Sequence, residues 1–160
     1  MDDELYRLAE RVGNALKQRA MMMATAESCT GGWVGEVVTA VPGSSDWFDR
    51  GFITYSNAAK QEMLGVAAAT LATYGAVSEQ AVREMASGAL ENSRAQAALA
   101  ISGIAGPGGG TAEKPVGTVW IAWAFAKGAV ASEKRVFAGD RHEVRQQAVE
   151  RALRGLLEHL

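Results

Sequence analysis

Residues 21–40 read MMMATAESCTGGWVGEVVTA, and this stretch decides the fold. Its first part, Met21–Ala26, is a short apolar run between turn signals, which predicts a buried strand. Apolar residues then recur at helical spacing from Trp33 to Val38, which predicts a helix over residues 30–40. A buried strand that runs into a helix through a tight turn is the repeating unit of α/β proteins. The chain is therefore expected to build a sheet with parallel strands.

Patterns on both sides of this stretch predict the remaining elements. The expected elements are helices over 3–19, 57–64, 67–74, 78–93 and from after Asp140 to near Leu160, and strands over 52–56, 97–102, 116–126 and 130–138. Lys127-Gly128 lies between the last two strands and favours a hairpin turn. Asp140, with Glu143 three residues later, is typical of a capping box at the start of the last helix. This order predicts one domain, residues 1–160, built as an α/β/α sandwich with a mixed sheet and a late β-hairpin.

The composition excludes several classes of protein. The chain has 160 residues, of which 48% are hydrophobic and 21% charged, as in ordinary globular domains that fold without metals or disulfides. Its net charge of −2 argues against nucleic-acid partners, which require a concentrated positive field. Its uncharged stretches are too short or too rich in glycine to cross a membrane, so no membrane partner is expected.

Cysteine and histidine are scarce. The single cysteine, Cys29, excludes an internal disulfide and favours a reducing compartment. The acidic start MDDELYRLAE has no feature of a signal peptide, so the expected location is the cytoplasm. The only histidines are His142 and His159, and no HExxH or CxxC pattern occurs, so no metal site is expected.

The segment TAESCTGG, residues 25–32, is the first candidate site. It follows a strand and opens a helix, whose first N–H groups lack internal partners and can bind an anion or an oxyanion. Ser28 would stand beside such a site as a nucleophile. Residue type alone favours the other interpretation, a helix cap followed by glycines for close packing. Cys29 is a rival nucleophile, although a buried packing role is the simpler interpretation.

Residues 55–60, YSNAAK, are the second candidate. Lys60 lies in the first turns of a predicted helix, where a cation is disfavoured and a lowered pKa is promoted. A lysine with a lowered pKa can serve as a base. A solvent-facing Lys60 and a packed Tyr55 are the alternative, and Ser56 is better explained as a helix cap than as a nucleophile.

Two further segments could hold a ligand. Residues 102–110, SGIAGPGGG, form a glycine-rich loop after a buried strand, which is typical of a binding loop or a mobile connector. They match neither the dinucleotide-binding nor the P-loop pattern. Arg141 and Arg145 would project from one face of the last helix and could clasp a phosphate, or pair with Glu143 and Glu150 on the surface.

Five motifs in order resemble one known family. They are AESCTGG at 26–32, PGSSxWFxxGFxTYSNxAK at 42–60, GAVSE at 75–79, SGIAGPxGGxxxKPVGTV at 102–119 and GDRxxVR at 139–145. Together they resemble the CinA C-terminal-domain family over nearly the whole chain. The resemblance implies hydrolysis of the carboxamide of nicotinamide mononucleotide, in pyridine nucleotide salvage. It also implies a catalytic group formed by Ser28, Tyr55 and Lys60.

The chemistry expected from these residues is an acyl transfer. Ser28 attacks the carboxamide carbon, and a neutral Lys60, directly or through Tyr55, takes its proton. The residues expected to hold the oxyanion or the substrate are Cys29, Thr30, Gly31, Gly32, Ser102, Gly103, Ala105, Gly106, Arg141 and Arg145. No cofactor is needed, and a homo-oligomer, a dimer, is expected. Two alternatives stay open: an inactive nucleotide-binding module of the same fold, and a Ser–Lys hydrolase of another small amide.

Overall fold

The computed structural model describes residues 2–160. The elements are α1 (Asp3–Gln18), β1 (Met23–Glu27), α2 (Trp33–Thr39), β2 (Phe48–Ile53), α3 (Asn57–Leu64), α4 (Ala68–Tyr74), α5 (Glu79–Glu91), β3 (Ala97–Gly103), β4 (Thr118–Phe125), β5 (Ala131–Val136) and α6 (Arg141–His159). Asp140 and Glu143 form the expected capping box at the start of α6. No helix within the described part of the chain is long and apolar enough to cross a membrane.

The five strands form one mixed sheet in the order β2-β1-β3-β4-β5. Strand β1 lies parallel to both β2 and β3, whereas β4 runs antiparallel to β3 and to β5. The parallel part comes from the early alternation of strands and helices, and the antiparallel part comes from the late hairpin. The predicted mixed sheet with a late hairpin is confirmed.

The two faces of the sheet carry side chains of different size. Large residues such as Leu99 and Ile101 point towards α1, α2 and α6. The alternate residues, such as Ala98 and Ala100, point towards α5, with α3 and α4 packed against it. Small side chains let α5 approach the sheet closely, because little volume separates the two backbones. Helices on both faces make the predicted α/β/α sandwich.

Strand β2 lies earlier in the chain than expected. The sequence predicts a strand over residues 52–56, but the strand spans Phe48–Ile53 and opens after a short 3₁₀ turn, Ser44–Asp46. The sequence pattern did not predict the first half of this strand, because its centre is polar. Strand β2 lies at the edge of the sheet, pairs only with β1 and leaves Arg50 and Gly51 exposed. Trp47, just before the strand, is buried in the core against Gly13.

The topology brings three strand ends together. Strands β1, β2 and β3 are parallel, so their carboxyl ends meet at one edge of the sheet. The segments that follow them carry the three candidate motifs around Ser28, Tyr55 and Ser102. Ligands in open α/β sheets bind at this edge, in the crevice beyond the strand ends. The fold therefore places the candidate site residues side by side.

Candidate active site

A pocket of about 220 Å³ opens beyond the ends of β1, β2 and β3. Engineered cavities of roughly 150 Å³ accept a benzene molecule, so this pocket has room for one six-membered ring and a small substituent. Its walls come from all three candidate motifs. The lining residues are Ser28, Cys29, Tyr55, Asn57, Lys60, Ala76, Val77, Ser102, Gly103, Ala105 and Arg141.

Ser28 and Lys60 are in direct contact inside the pocket. The Lys60 Nζ atom lies 3.0 Å from the Ser28 Oγ atom. Ser28 is the first residue after β1, and its backbone N–H donates to the carbonyl of Ile101 on β3. Its side chain is 9% exposed, and that exposure faces the pocket. A serine hydroxyl within hydrogen-bond distance of an amine is the arrangement that nucleophilic catalysis requires.

Lys60 is buried without a carboxylate. Its side chain is 1% exposed, and Nζ also donates to the backbone carbonyl of Thr54 at 2.8 Å. No acidic side chain pairs with it within residues 2–160. Desolvation by burial therefore lowers the pKa of Lys60 below its ordinary value. The predicted lowering has burial as its main cause, rather than the position of Lys60 near the start of a helix.

The thiol of Cys29 is expected to be less reactive than the hydroxyl of Ser28. Burial raises the pKa of its thiol to about 11. At neutral pH the thiol is protonated, and a protonated thiol is a poor nucleophile. Its side chain packs in the cluster beneath α1, α2 and α6, although the residue also borders the pocket. These facts agree with the packing role that the sequence suggested for Cys29.

The expected oxyanion donors differ in accessibility. Cys29 lines the pocket, and its N–H donates no hydrogen bond to another residue of the 2–160 segment. Thr30 is fully buried, and the Gly31 N–H donates to the Ser28 carbonyl. Gly32 precedes α2 in a left-handed conformation, with φ of 102°, and does not line the pocket. The structure therefore favours the Cys29 N–H among the four.

The N-terminus of α2 is already occupied by a side chain. The Glu27 carboxylate accepts hydrogen bonds from the Thr30 hydroxyl at 2.7 Å and from the N–H groups of Val34 and Gly35 at 2.9 and 3.1 Å. Glu27 is only 2% exposed. It satisfies the free donors of the helix and balances the positive end of its dipole. A substrate anion cannot use those donors, so the anion site predicted at the start of α2 is closed.

Tyr55 and Arg141 form the rim of the pocket. Tyr55 is 63% exposed, and its Oη accepts a hydrogen bond from Arg141 Nη2 at 3.0 Å. Arg141 Nη1 donates to the Gly106 carbonyl at 2.8 Å. Tyr55 makes no hydrogen bond with Ser28 or Lys60. The contact between the serine and the lysine is thus direct, with the tyrosine at the entrance.

The glycine-rich loop supplies the opposite wall. Ser102, Gly103 and Ala105 line the pocket, and the Ser102 hydroxyl donates to the Ala76 carbonyl at 2.8 Å. Gly106 does not line the pocket and contributes through its carbonyl, which orients Arg141. Gly103 ends β3 opposite Val119 on β4, and a Cβ at this position would lie 2.6 Å from a methyl carbon of Val119, so only glycine fits here.

Arg145 lies outside the pocket lining. Its Nε and Nη2 atoms donate to the carbonyls of Cys29 and Thr30 at 3.0 and 3.2 Å. The expected pairing of Arg145 with Glu150 on the surface is absent from the described residues, because Glu150 pairs with Arg154. The Asp140 carboxylate accepts from the Glu143 N–H at the start of α6, within the capping box that the sequence predicted. Of the two predicted phosphate ligands, only Arg141 faces the pocket.

Several lining residues were missed by the sequence reasoning. Asn57, Ala76 and Val77 carry no reactive group, although the quoted motifs YSNxAK and GAVSE contain Asn57 and the two small residues. The Thr54 carbonyl is a backbone group, for which no side-chain signal exists. Ser56, the rival nucleophile, is the N-cap of α3, and its Oγ accepts from the Ala59 N–H at 3.0 Å.

Neither histidine lies in the pocket. His142 packs on Trp33 with ring centroids 5.1 Å apart, and His159 stacks on Trp123 at 5.0 Å. Within residues 2–160, no group of three or more His, Cys, Asp and Glu side chains is placed to hold a metal ion. The pocket therefore offers an amine, that of Lys60, and no imidazole.

The chain is similar to known proteins over nearly its full length. The sequence profile of the CinA C-terminal domain matches residues 5–160. The chain is 58% identical over 155 residues to the nicotinamide-nucleotide amidohydrolase PncC of Escherichia coli (strain K12), covering 97% of this chain and 94% of the relative. It is 50% identical over 156 residues to the protein of that name in Pseudomonas putida, covering 98% and 97%.

Solved structures share the fold. The competence/damage inducible protein CihA of Agrobacterium tumefaciens superposes with a TM-score of 0.96 at 46% sequence identity, covering 99% of this chain and 96% of that one. The superposition spans the whole sandwich, including the segments that form the pocket.

Proposed function

The chain belongs to the CinA C-terminal domain family, and we propose that it hydrolyses the carboxamide of nicotinamide mononucleotide to nicotinate mononucleotide and ammonia. The observation that carries the proposal is the buried contact of 3.0 Å between Lys60 Nζ and Ser28 Oγ. The relatives named nicotinamide-nucleotide amidohydrolase support the choice of substrate, at 58% and 50% identity. The reaction would serve the salvage of pyridine nucleotides.

The first half of the reaction forms an acyl-enzyme. The Thr54 carbonyl accepts one N–H of neutral Lys60, which leaves the amine lone pair free to accept the Ser28 proton. The Ser28 oxygen then attacks the carboxamide carbon, and the carbonyl oxygen becomes an oxyanion. The Cys29 N–H is the proposed donor to that oxyanion, as the N–H after the nucleophile is in other serine hydrolases. Lys60 returns the proton to the nitrogen, the C–N bond breaks, and ammonia leaves.

The second half releases the acid. Water enters the space left by ammonia and gives its proton to Lys60 while its oxygen attacks the ester carbon. The tetrahedral intermediate collapses, the bond to Ser28 Oγ breaks, and Lys60 returns the proton to that oxygen. The products are nicotinate mononucleotide and free enzyme. The proposed mechanism uses no metal and no organic cofactor.

A neutral Lys60 also suits the charge of the substrate. The pyridinium ring of nicotinamide mononucleotide is cationic, and a protonated ammonium beside it would repel it. Burial disfavours the ammonium form, so the base and the ring can share the pocket. The 5′-phosphate must remain outside a pocket of about 220 Å³, where Arg141 lies at the rim. We therefore assign phosphate binding to Arg141, with Tyr55 beside it as a hydroxyl donor to the substrate.

The test is a product assay on the purified chain. Wild-type protein should release ammonia and nicotinate mononucleotide in equal amounts, and Ser28→Ala should release neither at a measurable rate. A folded wild-type protein that binds the mononucleotide but releases no ammonia would instead be a nucleotide-binding module. Faster hydrolysis of a different small amide in a panel at equal concentration would identify another Ser–Lys hydrolase.

The assembly and the location of the protein do not follow from the geometry of the pocket and are predicted from the sequence. The chain is expected to form a homodimer, which light scattering on the purified protein would measure. It is expected in the cytoplasm, which fractionation of its own cells would test. Neither expectation enters the mechanism, because the described chain supplies every group that the proposed steps use.

A further inference from the structure

Arg145 lies directly behind the segment that carries the nucleophile. Its guanidinium donates to two successive carbonyls, Cys29 at 3.0 Å and Thr30 at 3.2 Å, and lies 5.3 Å from the centre of the Trp33 ring. It makes no ion pair with a carboxylate among residues 2–160. A half-buried arginine that donates its hydrogen bonds to backbone carbonyls can stabilise one backbone conformation.

The conformation it holds is a tight turn. The Gly31 N–H donates to the Ser28 carbonyl at 3.0 Å, which closes a turn over residues 28–31. That hydrogen bond leaves the central peptide of the turn free, because common turn types differ by a flip of that peptide. The carbonyl of the central peptide belongs to Cys29, and Arg145 Nε binds it. Arg145 therefore fixes the orientation that the turn itself leaves open.

A carboxylate holds the same turn from the other side. The Thr30 hydroxyl donates to Glu27 at 2.7 Å, while the Thr30 carbonyl accepts from Arg145. Glu27 is in turn anchored by the N–H groups at the start of α2. Thr30 is thus fixed between a buried carboxylate on β1 and a guanidinium from α6. The turn thus contacts a distant part of the chain, since 115 residues separate Thr30 and Arg145.

We propose that Arg145 is a positioning residue, which locks the turn 28–31 and thereby the placement of Ser28 Oγ and the Cys29 N–H beside the pocket. This proposal rests on the proposed amide hydrolysis and replaces the expectation that Arg145 binds the phosphate. Displacement of a reacting group by about 1 Å can cost roughly a hundredfold in rate. Loss of an oxyanion donor costs roughly 10²- to 10³-fold in kcat. Arg145 does not line the pocket but holds the turn that carries Ser28, so its loss is expected to lower kcat rather than to raise KM.

The test compares variants of Arg145 with a control on the same helix. Arg145→Ala removes both hydrogen bonds, Arg145→Lys can keep one, and Arg154→Met removes an arginine that pairs with Glu4 and Glu150 at the surface. The substrates are nicotinamide mononucleotide and nicotinamide riboside, which lacks the phosphate. Thermal melting identifies any variant that fails to fold.

The expected result is a loss in kcat that is the same for both substrates. Arg145→Ala should lower kcat by about 10- to 100-fold with KM changed less than about threefold. The kcat of Arg145→Lys should lie between those of Arg145→Ala and the wild type. Added methylguanidinium should restore part of the kcat that Arg145→Ala loses. Arg154→Met should match the wild type. A higher KM for the mononucleotide alone, with the riboside unchanged, would show a phosphate ligand and overturn the proposal, as would an unchanged kcat.

A second measurement separates this proposal from the proposed function. A fluorophosphonate probe reacts with an activated serine whatever its amide substrate, and intact-mass spectrometry follows its attachment to Ser28. Slower labelling of Arg145→Ala and Arg145→Lys than of the wild type supports the positioning role even if the wild type does not hydrolyse the mononucleotide. Equal labelling rates in all folded variants overturn the positioning role even if the wild type is an active amidase.

Discussion

Lys60→Met tests the central claim of the mechanism, that a neutral buried amine is the base. Methionine has a similar length and is apolar, so it fills the space of a side chain that is 1% exposed. The change removes the hydrogen bonds to Ser28 Oγ at 3.0 Å and to the Thr54 carbonyl at 2.8 Å. General-base catalysis is worth roughly 10²- to 10⁴-fold, so kcat should fall by at least about a hundredfold.

At low pH, Lys60→Met is expected to raise the free energy of unfolding although it lowers kcat. Desolvation lowers the pKa of Lys60 in the folded protein below its ordinary value of 10.5. Between the lowered pKa and 10.5, the unfolded chain binds more protons than the folded one, so the free energy of unfolding rises with pH. Below that window the wild type carries the full cost of a buried ammonium. Lys60→Met lacks this cost, although it leaves the Thr54 carbonyl without a donor, at about 1–3 kcal/mol.

The same titration should appear in the rate. Only the neutral amine can accept the Ser28 proton, so wild-type kcat/KM should rise as pH climbs through the lowered pKa of Lys60 and then level off. The midpoint of this limb should coincide with the lower end of the window in which stability rises with pH. Two independent measurements therefore report on one group.

The assay measures nicotinate mononucleotide by chromatography in quenched samples at a series of pH values, beside urea unfolding at the same values. Lys60→Arg is the matched variant, because a guanidinium is a long hydrogen-bond donor like the lysine side chain but cannot act as a base near neutrality. An Arg variant with more than about a tenth of the wild-type rate would refute the base role, given the roughly hundredfold or greater effect of a general base. A wild-type rate that does not rise with pH would refute it as well.

Three further outcomes follow from the structure. Ser28→Ala should lower kcat by about a thousandfold or more, as for other covalent nucleophiles, whereas Cys29→Ala should keep most activity. Thiol reagents should react slowly with Cys29, because burial raises the pKa of its thiol to about 11. Arg141→Met should raise KM for nicotinamide mononucleotide by about tenfold or more and leave the riboside nearly unchanged, because a charge-assisted contact is worth roughly 1.5–3 kcal/mol. Gly88→Ala should lower the melting temperature by several degrees or prevent folding, because its Cβ would lie 2.0 Å from the Leu64 carbonyl oxygen. Circular dichroism measures the melting temperature, and Gly108→Ala is the control, because a Cβ at Gly108 has no neighbour within 4 Å.

The sequence predicted the elements whose patterns are set by burial. Helices α1 and α5 lie within a few residues of expectation because each buries an apolar face at helical spacing, and strand β3 does so because it is a continuous buried apolar run. Helix α3 also matches, between its Ser56 cap and Gly65. Strand β2 was misplaced because an edge strand buries little, and its sequence FDRGFI has no strong apolar alternation. Strand β4 begins at Thr118 rather than 116 because Gly117 adopts a left-handed conformation, with φ of 97°.

The sequence predicted which residues meet better than it predicted what each one does. Ser28, Lys60 and Tyr55 follow strand ends that parallel pairing brings together, so their proximity followed from the fold. The partners that decide their roles are backbone groups or distant residues. The Thr54 carbonyl orients Lys60, and Glu27 closes the helix start that residue type alone offered to an anion. Such contacts depend on the packing of the loops, for which a single sequence has no periodic signal.

The choice between Ser28 and Cys29 shows where the missing information lies. The two residues are adjacent, and both have side chains that can attack a carbonyl. Consecutive residues at the end of a strand point to opposite faces of the sheet. The Ser28 side chain faces α3 and its lysine, whereas Cys29 packs with the cluster beneath α1, α2 and α6. Burial there raises the pKa of the thiol to about 11, while burial of Lys60 lowers the pKa of the amine beside Ser28. In the proposed mechanism, the packing around Cys29 therefore keeps the thiol protonated, while the buried amine of Lys60 activates the Ser28 hydroxyl.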